Sequence, residues 1–270
     1  MGTDVIPRPS LGRFFGLVFA LSVPFIALGA AAGTIPGLPN DLPVSALMFV
    51  SPALAAVLLV GRAGIGPLLR RTLRIGAARA RRWLVIAAAV APVVSALGYL
   101  ALRAAGAGEP ADDVPWAAVP VFVAAFLLSA LGEETGWMGY AVDEMRRRWN
   151  LLTTGVLLGI VWGVWHLVPL AQAGRGTSWI AGWFLSTVAL RVIIVWLYDA
   201  SGELILTAIL AHASSNVVSS LLPGYLEPAT MWAVAVALTV CAAVLTALRP
   251  APGTSGRRPC EVSGGTGSGG

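Results

Sequence analysis

Apolar runs of roughly twenty residues, separated by short polar stretches, repeat along this 270-residue chain. Eight can be counted, at about 14–33, 43–61, 83–103, 114–142, 151–171, 179–198, 204–222 and 231–248. A bilayer core needs about 20 apolar residues of helix to cross it, and inside it only helices or closed barrels satisfy their own backbone. The pattern predicts an all-α polytopic membrane protein, a bundle of about eight transmembrane helices forming one domain over 1–248. The first run follows Arg8 and Arg13 and ends in Ala30, Ala31 and Ala32, as a secretory signal does. It is longer than the apolar region of a signal and is expected as a retained helix. Residues 249–270 end in a Gly/Ser-rich stretch with nothing to build a core from, and read as a flexible tail.

Composition sharpens the class. The chain is 57% hydrophobic and only 11% charged, against about 25% charged residues in a soluble domain. Its net charge of +5 is carried by arginine alone. A basic balance can mark nucleic-acid binding, but here the arginines sit in short loops beside apolar runs, where they report topology. Nucleic acid is therefore not an expected partner; the lipid bilayer is. Arg62, Arg70, Arg71, Arg74, Arg79, Arg81 and Arg82 fill the second loop, and Arg146, Arg147 and Arg148 the fourth. Arg8 and Arg13 precede the first run, and Arg249, Arg257 and Arg258 follow the last. With eight spans all of these share one side, which is cytoplasmic, so both termini and the tail lie in the cytoplasm. The opposite side holds Glu109, Asp112 and Asp113, with Arg103 and Arg175 as its arginines. Cys241 and Cys260 suggest neither a disulfide framework nor a thiolate metal site.

Three places break the apolar pattern. Glu133 and Glu134 are adjacent inside the fourth run, and the chain's two histidines, His166 and His212, lie inside the fifth and seventh. A carboxylate at membrane depth costs about 2.5–3.5 kcal/mol on insertion scales, so such groups are kept where something uses them. In the seventh run His212 and Asn216 are four apart, and Ser215 and Ser219 add to one inward-facing polar stripe. Serine and asparagine alone would read as hydrogen-bonding between helices; the histidine and the two glutamates argue for a site. Small-residue stripes, Gly132 and Gly136 on the fourth run and Gly155, Gly159 and Gly163 on the fifth, predict close helix packing beside Glu133 and His166. Depth is a further test. At about 1.5 Å per residue, Glu133 and His212 lie about 13 and 12 Å from the arginine-rich ends of their runs, but His166 lies about 22 Å from its own. Those levels disagree, unless the fifth helix begins below the membrane near Arg146 or a kink at Pro169 intervenes.

A carboxylate and two imidazoles in a low-dielectric cavity suit hydrolysis. A glutamate can serve as general base and a histidine can hold the attacking water. A second histidine and an asparagine amide can donate to a developing oxyanion.

The order Glu133-Glu134-x-Gly136-Trp137, an aromatic four residues before His166, then His212-x-x-x-Asn216 resembles the CAAX protease and bacteriocin-processing (CPBP, or ABI) family of intramembrane endopeptidases. Its motifs are written EExxxR, FxxxH and HxxxN or HxxxD, and the likeness covers about 116–220. The resemblance implies a peptidase of the bacterial plasma membrane, acting on a peptide or protein that is prenylated or membrane-embedded. It also implies roles: Glu133 and His166 activating water, His212 and Asn216 stabilising the oxyanion, Glu134 supporting the first motif. Two positions depart from it. Met138 stands where the family has arginine, and Trp162 where it has phenylalanine. Arg191 lies near the level of Glu133, where it could replace the missing charge by pairing with Glu134, or instead snorkel toward an interface or bind backbone carbonyls. Glu133, His166 and His212 could also supply three ligands to a zinc ion with water in the fourth place, but no HExxH motif fixes such a site. A metal-free glutamate mechanism uses the same residues. Two other readings stay open at this point. A catalytically silent scaffold or immunity factor would fit the loss at Met138, and a proton-coupled transporter would use the same buried groups, although no inverted repeat is visible.

Overall fold

The computed structural model describes residues 10–35, 42–76, 81–108 and 116–248. The expected tail at 249–270 and the loop charges Arg8, Arg79, Glu109, Asp112, Asp113, Arg249, Arg257 and Arg258 lie outside the described residues. Helices form wherever an apolar run was counted: α1 (Leu11–Ala32), α2 (Ser51–Thr72) entered through a 3₁₀ turn (Val44–Val50), and α3 (Arg81–Ala104). There follow α4 (Val119–Gly136), a π-helical turn (Trp137–Ala141), α5 (Val142–Arg148) and α6 (Leu151–Gln172). The chain closes with α7 (Thr177–Ala200), α8 (Ile205–Leu221) and α9 (Pro228–Ala247). Among the described residues, seven helical stretches are long and apolar enough to cross a membrane, and α8 is apolar but shorter at 17 residues. The protein is an all-α polytopic membrane protein. Its outward faces carry Leu58, Val85, Leu97 and Val236, all exposed, as a lipid-facing surface requires.

Two boundaries differ from the expected ones, each for a local reason. The second run does not end in a loop at 61. Gly61 adopts φ 65°, ψ 178°, which breaks the helix without ending it, and helical structure resumes through Thr72. Only glycine takes that backbone conformation cheaply, so the chain turns there and carries Arg70 and Arg71 on a helix instead of in a loop. The fourth run does not stop at 142. It passes through the π turn into α5 as far as Arg148. The π turn frees the carbonyl of Gly139, which accepts from Arg71 Nη1 at 3.2 Å.

That extension brings Glu133 and His166 to the same depth. Glu133 lies fifteen residues before Arg148, and His166 lies fifteen residues after Leu151. The two helices meet at the Trp149–Asn150 turn, where the Asn150 side chain caps α6 by accepting from Thr153 N–H at 2.8 Å. Counted from that shared turn, Glu133 and His166 are level.

The glycine stripes act as expected. A Cβ at Gly155 would lie 2.7 Å from Val192 Cα, one at Gly159 2.8 Å from Val188 Cα, and one at Gly163 2.7 Å from Phe184. The first two contacts seat α6 directly on the α7 backbone, and the third sets it against the Phe184 ring. Gly132 and Gly136 do the same for α4, against Phe49 and Pro52. Helix α7 is the most enclosed of the spans, packed against α6, α8 and α9. Arg191, at its middle, has no exposed surface.

Candidate active site

Helices α4, α6 and α8 bring the three pattern-breaking places together. Glu133, His166, His212 and Asn216 all line one cavity of about 420 Å³. Glu134 faces the other way, because consecutive helical residues point about 100° apart. The pair divides into a carboxylate on the cavity wall and one held within the protein.

Glu133 is almost wholly buried, and its Oε2 accepts from the indole Nε1–H of Trp162 at 2.7 Å. Its Oε1 stands 3.5 Å from Ser129 Oγ, one turn back on α4. Trp162 was read only as an aromatic in a phenylalanine position; the structure gives it a donor role that phenylalanine lacks. The signal was there in the residue type, since a buried indole N–H usually finds an acceptor. Ser129 was missed altogether, although its spacing of four from Glu133 puts both on one helix face.

Glu134 bridges two partners on different helices. Its Oε2 accepts from Arg191 Nη1 at 2.7 Å, and its Oε1 stands 2.9 Å from His212 Nδ1. Of the two readings of Arg191, the structure shows the pairing with Glu134, with both side chains fully buried. Arg191 Cζ also lies 4.0 Å from the centroid of the Trp162 ring, a cation–π contact. Its Nε and Nη2 have no hydrogen-bond partner, so the ring face is what the rest of the guanidinium meets.

The histidines are held by their Nδ1 atoms. His166 Nδ1 lies 2.9 Å from the carbonyl oxygen of Trp162, one turn back on α6. A carbonyl only accepts, so Nδ1 carries the hydrogen and the neutral ring presents a lone pair at Nε2. By the same argument His212 donates from Nδ1 to Glu134, which leaves its Nε2 as the atom available to the cavity. The two imidazoles flank the Trp162 indole edge-on, with centroids at 5.5 Å for His166 and 4.8 Å for His212. Trp162 therefore spaces the two rings and binds Glu133 at once. Asn216 lies one turn above His212 on the cavity wall, with Ser215 and Ser219 beside it.

The donor types suit zinc, yet the arrangement does not gather them. Among the described residues no three His, Cys, Asp or Glu side chains converge as a metal ion requires. Trp162 already holds one oxygen of Glu133, Oε2, at 2.7 Å.

Comparison with known proteins bears on the same stretch. Residues 115–218 match the family described as type II CAAX prenyl endopeptidase, Rce1-like. CAAX prenyl protease 2 of Methanococcus maripaludis is 33% identical over 105 residues. That alignment covers 36% of this chain and 38% of the relative, so the likeness spans well under half of either protein. All five motif residues, Glu133, Glu134, His166, His212 and Asn216, fall inside the matched segment. Over residues 115–218 this chain is thus similar to the Rce1-like CAAX prenyl endopeptidases.

Proposed function

We propose that this integral membrane protein is an intramembrane endopeptidase of the bacterial plasma membrane, hydrolysing a peptide bond with a water activated by Glu133 and His166. The observation that carries the reading is the convergence of Glu133, His166, His212 and Asn216 on one cavity inside the bundle.

A water between Glu133 and His166 Nε2 loses a proton to Glu133 as its oxygen attacks the scissile carbonyl carbon. Trp162 holds one carboxylate oxygen and so keeps the other turned to that water. The carbonyl oxygen becomes an oxyanion that takes hydrogen bonds from the Asn216 amide and from His212. His212 donates from Nε2 only when both ring nitrogens are protonated, since Nδ1 already serves Glu134. Glu134 is then the counter-ion of two cations, Arg191 and His212. Collapse of the tetrahedral intermediate breaks the C–N bond, and Glu133 returns its proton to the leaving amine. Each proton has a named carrier.

The substrate class in this reading is a peptide or protein with an apolar or lipid-bearing segment at the membrane. The test uses purified protein in detergent, a lipid-modified or membrane-embedded reporter peptide, and Glu133→Gln. Removing a general base costs about 10²–10⁴ in rate, so Glu133→Gln should fold as the parent does and cleave almost nothing. Cleavage at the parent rate by a folded Glu133→Gln protein would overturn the assignment.

A further inference from the structure

An α-helix bonds each N–H to the carbonyl four residues back, and the turn after Glu133 and Glu134 departs from that. Val142 N–H reaches back five residues to the Trp137 carbonyl, and Trp137 N–H is shared between the carbonyls of Glu133 and Glu134. One extra residue is wound in, so the part of the helix before it is rotated by about 100° against the part after it.

Both parts have fixed partners. Before the turn, Glu133 meets Trp162, and Glu134 meets Arg191 and His212. After it, Asp143 pairs with Arg71 at 2.5 Å and accepts from the Tyr198 hydroxyl at 2.8 Å. An uninterrupted helix would satisfy one set and miss the other; the extra residue lets the chain satisfy both. A π turn is rare and holds only where its surroundings support it. Arg71 gives that support. Its Nη1 donates to the carbonyl of Gly139, inside the turn, at 3.2 Å, while its Nη2 bonds Tyr198 and Asp143. One guanidinium fork therefore grips the turn and the helix beyond it together.

Helix α2 is shaped for this. Its break at Gly61 divides it in two. The first half lies so close to Gly136 that a Cβ there would strike the Pro52 carbonyl, and the second half lies on Gly139, where a Cβ would come 3.0 Å from Leu68 Cδ1. The two halves touch the turn at both ends, yet no residue of α2 is on the cavity wall. What α2 does for the site, it does through α4.

We propose, on the peptidase reading above, that Arg71 is a positioning residue for the reaction. It fixes the π turn, and through it the angle at which α4 presents Glu133 to the cavity and Glu134 to Arg191 and His212. Without its bond to Gly139 the turn relaxes toward an ordinary helix while Tyr198 still holds Asp143, and the two carboxylates leave their partners together.

The first test does not depend on activity. Thermal unfolding midpoints in detergent are compared for Arg71→Met, Arg191→Met and the double variant. Among the described residues the two arginines have no partner in common, and substitutions at independent sites add. Here they should not. In the Arg71→Met background, Arg191→Met should cause about half the drop it causes in the parent or less, because Glu134 has already moved away. Tyr198→Phe removes the bond from Arg71 to α7 but leaves Gly139 held, so its effect should add to that of Arg191→Met. Additive drops for Arg71→Met, or equal coupling from Tyr198→Phe, would overturn the proposal. If Arg71→Met does not fold, Arg71→Lys takes its place, since an ammonium keeps the charge beside Asp143 without the fork. The second test is kinetic, below the unfolding range of every variant. Displacement of a reacting group by about 1 Å costs on the order of 10²-fold, so Arg71→Met should lose about that much in kcat with KM kept, and Tyr198→Phe should cleave as the parent does. Parent-level kcat in folded Arg71→Met would also overturn the proposal. If the midpoints are coupled as expected but the parent cuts no peptide, the peptidase reading fails while the hold of Arg71 on Glu134 stands.

Discussion

A guanidinium with no exposed surface must find its counter-charge inside the fold, and Arg191 finds it 2.7 Å away in Glu134. The family motif supplies an arginine from the same helix as its glutamates, four residues after the second. Here that position is Met138, fully buried, and the charge arrives from α7. The pair holds His212 in register, because Glu134 spends its second oxygen on the imidazole. Breaking such a buried pair by removing one partner costs about 3–5 kcal/mol, since it strands the other charge. Arg191→Met should therefore lower thermal stability in detergent sharply and abolish cleavage. Adding Met138→Arg to it restores a guanidinium one helical turn from Glu134 and should recover much of both. A double variant no better than Arg191→Met would mean that Arg191 serves something other than Glu134. This pairing was only half legible in the sequence: the depths of Arg191 and Glu133 agreed, but an arginine in an apolar run can also snorkel to an interface. The bond from Trp162 to Glu133 was not, since spacing says nothing about where an indole N–H points.

At the scale of elements, the site depends on how closely α6 lies on α7. His166 is carried by α6 and Arg191 by α7, and Trp162 touches both. Glycines at 155, 159 and 163 bring the two backbones together. Gly155→Ala would drive a Cβ to 2.7 Å from Val192 Cα, and overpacking of that kind costs about 1–3 kcal/mol. Gly16→Ala, on the exposed flank of α1, meets nothing within 4 Å and should stabilise by about 0.5–1 kcal/mol through helix propensity. Opposite shifts in thermal unfolding for these two variants check the claim; equal shifts would deny the stripe its packing role. The glycine spacing of four made this contact readable from sequence. The course of α4 beyond 142 was hidden, because a π turn leaves no mark in hydropathy. The apparent misplacement of His166 came from that single unread turn.

Across the whole molecule, one end of the bundle is knitted and the other is hollow. At the arginine-rich end Arg71 pairs with Asp143 at 2.5 Å and bonds Tyr198, which itself donates to Asp143 at 2.8 Å. Arg146 reaches Asp199 at 3.4 Å, and Arg74 bonds the carbonyl of Gly202 at 3.0 Å. These contacts tie α2, α5 and α7 below the site. Above it, about 420 Å³ is left unfilled. Apolar runs revealed where the helices lie, but residue type alone could not say which end holds the cavity, because Phe122 or Trp183 would fill a core as readily as line a void. The emptiness has a consequence that separates function from stability. Ala125 lies on the wall along α4 between Phe122 and Ser129, in the cavity that holds Glu133. Ala125→Trp would place an indole in that space, and stability should hold, as with other cavity-filling substitutions. Peptide cleavage should fall through a raised KM, with kcat for short substrates largely kept, whereas Glu133→Gln loses kcat with the cavity unchanged. An Ala125→Trp protein that binds and cleaves long peptides as the parent does would show that substrate reaches Glu133 by a different route.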